Sequence, residues 1–426
     1  MISLKFKNAF INNLEKSQFM LEDFLFKCAN RLKPEYFSRE SKMGFKETML
    51  FILNMEKKTI QLELNNFFDK ILKRDDTISK QAYLEARQKI DPKAFIELND
   101  VITNNIYNEC EDIELWNGFR LSGIDGSIFE IPDTKALREE FGSVKNQNRE
   151  VARAKAATIF DLLNKITIKS QIANYKKSER KMATEMIQEL INDEVKNDLI
   201  LFDRGFPSVE LFSYLIDNGI NFLMRAAKNY SNQIINAKKE DQIISMKYNQ
   251  NTYQIRVVRF LLSSGEEEIL LTTLLDEKYS VAELKKLYFI RWQTEINYDV
   301  LKNRLEIENF TSNSKVAIEQ DFYATIYLSN MAELARKQSD DIVETRNKGK
   351  ENKLKYKTNT NILIGTLKDE FILLLLEPNK RKRNKKFMKI MNLIAKSVVP
   401  IRSERQNPRK ERISRGKYKT NHKRCL

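Results

Sequence analysis

The chain has 426 residues, enough for two or three domains with a sizeable core. It holds one histidine, His422, and three scattered cysteines, Cys28, Cys110 and Cys425. Ser-His-Asp and Cys-His catalysis and His-rich metal sites are therefore excluded. Neither a disulfide framework nor a structural zinc site is expected, and any metal must rest on carboxylate oxygens, which points to Mg²⁺ or Mn²⁺. The formal charge of +15 is concentrated at one end: Asn379–Leu426 carries 18 Lys or Arg against Glu404 and Glu411, and the remainder is close to neutral. Such a block suits either counterion release from nucleic acid or a solubilising tail.

Residues 1–115 read as helical. Phe45 to Met55 is an apolar helical run, Thr59 is placed to cap a helix through Phe68, and Ser79 to cap Lys80 to Ile90, which Asp91-Pro92 ends. The last helix, exposing Lys80, Gln81, Tyr83 and Arg87, resembles the reading helix of a helix-turn-helix; plain bundle packing gives the same pattern. Near Gly118 the character changes. Phe119 to Ser127 reads as a strand that ends at Asp125, followed by a glycine turn and a further strand, Ser127 to Ile131. Ala154 to Leu162 and Lys165 to Ala173 are strands, and Glu179 to Ile191 is a helix. Leu199 to Phe202 is a short apolar strand ending at Asp203. Pro207 to Asn218 is a helix and Ile220 to Met224 a strand. This order predicts an α/β fold, a mixed sheet with flanking helices. Residues 242–275 read as an extra β segment before the next helix, with strands at Tyr253 to Phe260 and Glu268 to Leu274 around a Ser263-Ser264-Gly265 turn. Asn309 to Arg336 and Asn361 to Leu376 are helices joined by a polar linker, Ser339 to Thr360. The apolar run Phe371 to Leu376 is too short to cross a bilayer and Met1 to Lys16 is too evenly mixed for a signal peptide, so no membrane association is expected.

Ser280-Val-Ala-Glu283 has the form of a capping box and opens an uninterrupted helix to Leu305. On it Tyr288, Arg291, Glu295 and Lys302 fall at offsets that lie within about 60° of one another along about 21 Å. Phe289, Trp292, Ile296 and Val300 form the adjacent apolar arc, which puts Glu295 at the rim of a buried face and Trp292 in the core. From this helix alone, an exposed Arg291–Glu295 ion pair reads equally well.

Asp125 and Asp203 at the ends of neighbouring strands, with Glu295 brought over them, form a carboxylate set. Each Asp by itself reads as a turn residue, and the case rests on the three together. Three carboxylates in a small volume repel unless a cation is present, and two Mg²⁺ about 3.5–4 Å apart would neutralise them and clamp a displacement at phosphorus. Gly126 and Gly205 let the backbone turn away after each acid.

These residues resemble a known family. Tyr288, Arg291, Glu295 and Lys302 match the Tyr-x2-Arg-x3-Glu-x6-Lys signature of bacterial DDE transposases of the "insertion sequence four" family. Ile124-Asp125-Gly126-Ser127 and Phe202-Asp203-Arg204-Gly205-Phe206 look like its two other acidic motifs, and Phe222 to Ala226, with Arg225, is similar to the segment that follows. The resemblance implies an RNase H-like core over 116–335 with a β-rich insertion, 226–279, before the Glu helix. It also implies an all-helical N-terminal DNA-binding domain over 1–115 and a helical, basic C-terminal region over 336–426. Asp125, Asp203 and Glu295 would be the catalytic metal ligands for two Mg²⁺, with Mn²⁺ able to substitute. Tyr288, Arg291, Lys302 and Arg225 would contact DNA. Asp299 stands where the family often has a further basic residue. The implied protein is a DNA transposase, cytoplasmic and nucleoid-associated in a bacterium, which binds the inverted repeats of its element, cuts the ends and joins 3′-hydroxyls to target DNA, as a dimer at least on DNA. A nuclease or resolvase without strand transfer, or a catalytically silent DNA-binding regulator, are the rival readings.

Overall fold

The computed structural model describes residues 5–54, 59–145, 147, 150–193, 197–262, 265–350 and 354–402. His422, Cys425, the Ser263-Ser264 pair and the basic tail beyond Arg402 lie outside the described residues. In chain order the elements begin with α1 (Ala9–Glu22), α2 (Phe24–Ala29), α3 (Phe45–Asn54), α4 (Ile60–Asn66), α5 (Lys80–Arg87) and α6 (Lys93–Glu109). The sheet region follows with β1 (Arg120–Glu130), α7 (Lys135–Phe141), β2 (Ser143–Lys145), β3 (Glu150–Asp161), β4 (Thr167–Asn174), α8 (Glu179–Asn192), β5 (Asp198–Phe202), α9 (Val209–Asp217), β6 (Asn221–Ala226), α10 (Asn232–Asn236), β7 (Asp241–Tyr248), β8 (Asn251–Leu261) and β9 (Glu267–Thr272). Then come α11 (Val281–Ile290), α12 (Gln293–Asn303), α13 (Lys315–Asn347), β10 (Tyr356–Thr358), α14 (Thr360–Leu375), α15 (Lys380–Ile394) and β11 (Val398–Pro400). Among the described residues no helix is long and apolar enough to cross a membrane.

Contacts divide the chain into two compact units. One gathers the described parts of Met1–Ile113, Phe129–Ala154 and Leu301–Leu426, and the other is formed by Glu114–Ile128 and Lys155–Val300. The N-terminal and C-terminal helices thus share one unit.

The first unit is built around α13, which packs against α1, α3, α6, α14 and α15. Ser314 caps its start by accepting from the Ala317 amide. The helix runs on into the expected linker as far as Asn347, with Ser339 and Val343 buried within it, and further along that segment β10 pairs with β11. Local composition reads as a linker there, but the side chains facing neighbouring helices decide. Within this unit α5 departs from the helix-turn-helix expectation. Ser79 caps it as predicted, yet Tyr83 and Arg87 are buried. Arg87 gives its nitrogens to Asp321 (2.8 Å), Gln320, Thr311 and the Ala317 carbonyl. A guanidinium spent on four internal acceptors cannot read a base. Thr59 makes no side-chain cap, and the helix it precedes winds into a π-turn at Phe67–Ile71.

The nine strands outside the β10–β11 pair form one mixed sheet in the order β2-β3-β1-β5-β6-β9-β8-β7, with β4 added on β3. β1, β5 and β6 are parallel, with Ile124 opposite Phe202 and Phe202 opposite Met224. β6 then pairs antiparallel with β9, β9 with β8, and β8 with β7. The expected β insertion is therefore an extension of the main sheet, and it includes one strand, β7, that the sequence pattern did not suggest. On one face of the second unit Leu121, Leu199, Leu201, Leu223 and Leu270 pack with Leu284 and Leu287 of α11. Each such fully buried side chain contributes roughly 1.5–3 kcal/mol. At the N-terminal end of β1, Arg120 grips Asp198 of β5 through two hydrogen bonds of 2.6 and 2.7 Å, fixing the register of the parallel pair.

Candidate active site

The two aspartates stand side by side because of strand register. The β1–β5 pairing ends at Ile124 opposite Phe202, so Asp125 and Asp203 are the next residues on neighbouring parallel strands, just past the C-terminal end of their pairing. Asp203 ends its strand as expected. Asp125 does not: β1 continues unbroken through Gly126 to Glu130, so the acid projects from mid-strand. Neither Gly126 nor Gly205 has the positive φ that a forced turn would demand. Gly126 serves a different need, since a Cβ there would fall 2.8 Å from Cγ of Glu179, the first residue of α8.

The segment predicted as one helix is two. The capping box forms as expected, with Ser280 accepting from the Glu283 amide and Glu283 accepting from the Ser280 amide. But α11 ends at Ile290, and α12 starts at Gln293. Across the break the amides of Arg291, Trp292 and Thr294 bond to the carbonyls of Tyr288, Phe289 and Arg291, three residues back, the tighter 3₁₀ geometry. No proline or glycine causes it. Thr294 turns its hydroxyl back to the Arg291 carbonyl (2.9 Å), and its methyl fills the space above Gly123 of β1, where a Cβ would be only 2.5 Å away.

This docking decides the buried face, and it is not the predicted one. Leu284, Leu287, Tyr288, Arg291, Thr294, Asn297 and Tyr298 are buried. Phe289, Trp292 and Ile296 are 57%, 46% and 43% exposed, so Trp292 is not a core residue. Two apolar arcs compete on this segment, and the leucine arc wins because it meets the apolar face of the sheet and because Gly123 admits only a small side chain. Asp299 is exposed on α12.

The result gathers three acids about one guanidinium. Arg291 Nη2 lies 3.5 Å from Oε1 of Glu295 and 3.9 Å from Oδ1 of Asp203. The Arg291 guanidinium sits over the Tyr288 ring, 5.6 Å from its centroid. Tyr288 donates to Asp203 Oδ1 at 3.4 Å, and the Arg204 amide donates to the same oxygen at 2.7 Å. Asp125 Oδ1 accepts from the Gly126 amide at 2.9 Å, and its main-chain carbonyl accepts from the Tyr298 hydroxyl at 2.9 Å. Burial pushes the Asp125 carboxyl up to about 6; the Gly126 amide and Arg291 pull it down, while Asp203 and Glu295 push it further up. Burial also raises the Tyr288 and Tyr298 hydroxyls, which stay protonated donors. For Arg291, burial works against the charge, but Tyr288, Asp203 and Asp125 outweigh it and its pKa is raised.

Of the other expected residues, Arg225 on β6 pairs with Glu268 at 2.7 Å and lies near enough to Tyr288 to influence it. Lys302 is described with the other unit, where it pairs with Glu308 at 3.3 Å and lies over the Phe129 ring. Among the described residues no group of three His, Cys, Asp or Glu stands close enough to hold a metal ion; the acids surround a guanidinium instead. Sequence reasoning missed Tyr298, Thr294 and Glu179. Tyr298 was within reach: on an ideal helix it falls about 20° from Arg291, on the same stripe. Thr294 and Glu179 carry no such signal, since each matters through a glycine on a distant strand.

An α/β sheet whose aspartates stand where the pairing of its parallel strands ends belongs to the class of folds that do their chemistry at that edge. Residues 116–331 match the family described as "Transposase DDE domain", and the chain belongs to it. Its similarity to the "Putative transposase InsZ" of Escherichia coli (strain K12) is 30% identity over 125 residues, 28% of this chain and 40% of that protein. To the "Transposase InsG for insertion sequence element IS4" of the same organism it is 22% over 272 residues, 60% of each chain. The chain thus spans less than two thirds of either curated relative, and the second agrees with the IS4-type signature at Tyr288–Lys302. A cryo-EM structure of the piggyBac transposase synaptic complex with hairpin DNA aligns over 90% of this chain and 84% of that one, at 12% identity and a TM-score of 0.44, too loose to define a shared fold.

Proposed function

We propose that this chain is the DNA transposase of an insertion sequence, and that Asp125, Asp203 and Glu295 are its catalytic carboxylates. The observation that carries the reading is the convergence of these three acids on Arg291, inside the segment matched by the transposase family.

Transposase DDE domains work with divalent metal ions, and the donor set here suits hard cations: carboxylate oxygens only, in a site where Asp125 is raised by burial and by its neighbours' charge. Asp125, Asp203 and Glu295 would hold two Mg²⁺, or Mn²⁺ in their place. Bound there, such ions would neutralise the acids and would supply Lewis-acid activation of water or a 3′-hydroxyl and stabilisation of the departing oxygen. The chain's own groups do the positioning. Strand register keeps Asp125 beside Asp203, Tyr298 fixes the Asp125 main chain, and the Thr294–Gly123 contact sets the height of Glu295. Arg291, Tyr288 and Arg225 line the same neighbourhood as phosphate contacts, and Lys302, in its own unit, is a further proposed DNA contact.

The substrates are the element's inverted repeats and a target duplex, with two ends held by at least a dimer. The outward face of α15 suits a phosphate backbone. Arg381, Lys382, Lys385 and Lys389 are exposed there and, among the described residues, have no acidic partner. The test is strand cleavage and joining on inverted-repeat duplexes with Mg²⁺. Wild type is expected to yield nicked and joined products and Glu295→Gln neither. Equal cutting by Glu295→Gln would refute the assignment, and cutting without joining would favour a nuclease.

A further inference from the structure

Three buried arginines in this chain behave differently. Arg87 directs all three guanidinium nitrogens to internal acceptors, the closest at 2.6 Å. Arg120 holds Asp198 at 2.6 and 2.7 Å. These are spent guanidiniums, fixed for structural reasons. Arg291 is as buried as a structural arginine, at 8% exposure, yet its nearest acidic oxygens lie at 3.5 and 3.9 Å, beyond good hydrogen bonds. Its Nε and Nη1 are buried with no hydrogen-bond partner at all. Leaving two such donors unmade is costly, and a group that tolerates it is poised for another acceptor. Its backbone sits in the break between α11 and α12, not inside a regular turn.

We propose that Arg291 is an exchangeable counter-cation: it neutralises Asp203 and Glu295 until a divalent ion takes their oxygens, and then turns its unspent N–H groups to a DNA phosphate. This rests on the reading of the three acids as metal ligands. The reasoning is competitive. A guanidinium within 4 Å of two carboxylates and a divalent ion on those same carboxylates repel each other, so one must yield. The arginine can yield, because only the Tyr288 side chain and two long ion pairs hold it, with no short hydrogen bond to either acid. Phosphate offers the acceptors that Nε and Nη1 lack, in the forked geometry guanidinium prefers. Metal loading and DNA engagement then favour one another by linkage.

The experiment titrates Mn²⁺ into the full chain and follows the free-ion electron paramagnetic resonance signal, for wild type, Arg291→Ala, Arg291→Gln, Arg291→Lys, Asp125→Asn and Asp203→Asn. With one positive charge removed from the acids, Arg291→Ala and Arg291→Gln are expected to bind Mn²⁺ about tenfold more tightly than wild type, with Arg291→Lys close to wild type. A merely structural arginine would give the opposite, a looser site. In a parallel duplex-binding titration, Mn²⁺ strengthens DNA binding by wild type but not by Arg291→Gln. Unchanged or weakened Mn²⁺ affinity in Arg291→Gln, with the ion lost in the two aspartate variants, overturns the exchange and leaves the metal site standing. Undiminished Mn²⁺ binding by the aspartate variants overturns the metal-ligand reading, and the exchange with it. Arg291→Gln keeps the outcome decisive should Arg291→Ala not fold.

Discussion

Gly123→Ala tests how a strand residue with no functional group controls the site. An added Cβ would meet Thr294 Cγ2 at 2.5 Å and Leu162 Cδ2 at 3.1 Å. Both neighbours are buried, and Thr294 is tied by its hydroxyl to the Arg291 carbonyl, so it cannot rotate away without losing that bond. Overpacking of this kind costs about 1–3 kcal/mol, with about 1 kcal/mol more if the Thr294 bond is given up. Whatever moves carries Arg291 and Glu295 with it, since both flank Thr294. Thr294→Ser supplies the control: it deletes the clashing methyl, keeps the hydroxyl, and costs about 1 kcal/mol by itself. In the double variant the methyl is transferred from one partner to the other, and the loss should shrink to about 1 kcal/mol or less. The assay is urea unfolding of the four proteins, read as a double-mutant cycle, with Mn²⁺ affinity measured alongside. A favourable coupling of about 2 kcal/mol is expected. Additive losses, or a neutral Gly123→Ala, would refute the account of why the helix breaks where it does.

The remaining expectations concern charge. Asp125 is raised from 3.8 to about 6, so the group favours the folded state fully below about pH 4 and that contribution is lost as pH rises through about 6, a change of about 3 kcal/mol. Asp125→Asn should therefore have a flatter stability–pH profile, overtaking wild type by up to that amount near neutral pH in metal-free buffer. A wild-type to variant difference that stays constant between about pH 4 and about pH 7.5 would contradict it. Arg87→Ala strips Asp321 of its cation in a buried site and should cost about 3–5 kcal/mol in denaturant unfolding. Were it instead to leave stability intact and weaken DNA binding, α5 would be a reading helix after all.

What the sequence by itself determined is local. Apolar runs placed β5 and β6, the Ser280/Glu283 box opened α11, and the acid after Leu199–Phe202 marked the end of β5, whereas the strand expected to stop at Asp125 runs on to Glu130. These follow from neighbours within a few residues, where propensity and capping act. Tertiary structure decided what periodicity leaves open. Two apolar arcs run along 281–303, and only the surface they meet, a leucine-lined sheet with a gap at Gly123, selects between them, which exposes Trp292 and buries Arg291. The same holds for Tyr83 and Arg87, whose helix reads as a surface until α13 covers it. It holds too for Ser339, which reads as linker until its neighbours bury it. A side chain's type is written in the chain, but its burial is a property of the surface opposite, contributed by residues far away in sequence. Arg291 depends on both: its place beside the acids is legible from spacing, and its unspent hydrogen bonds from the fold alone.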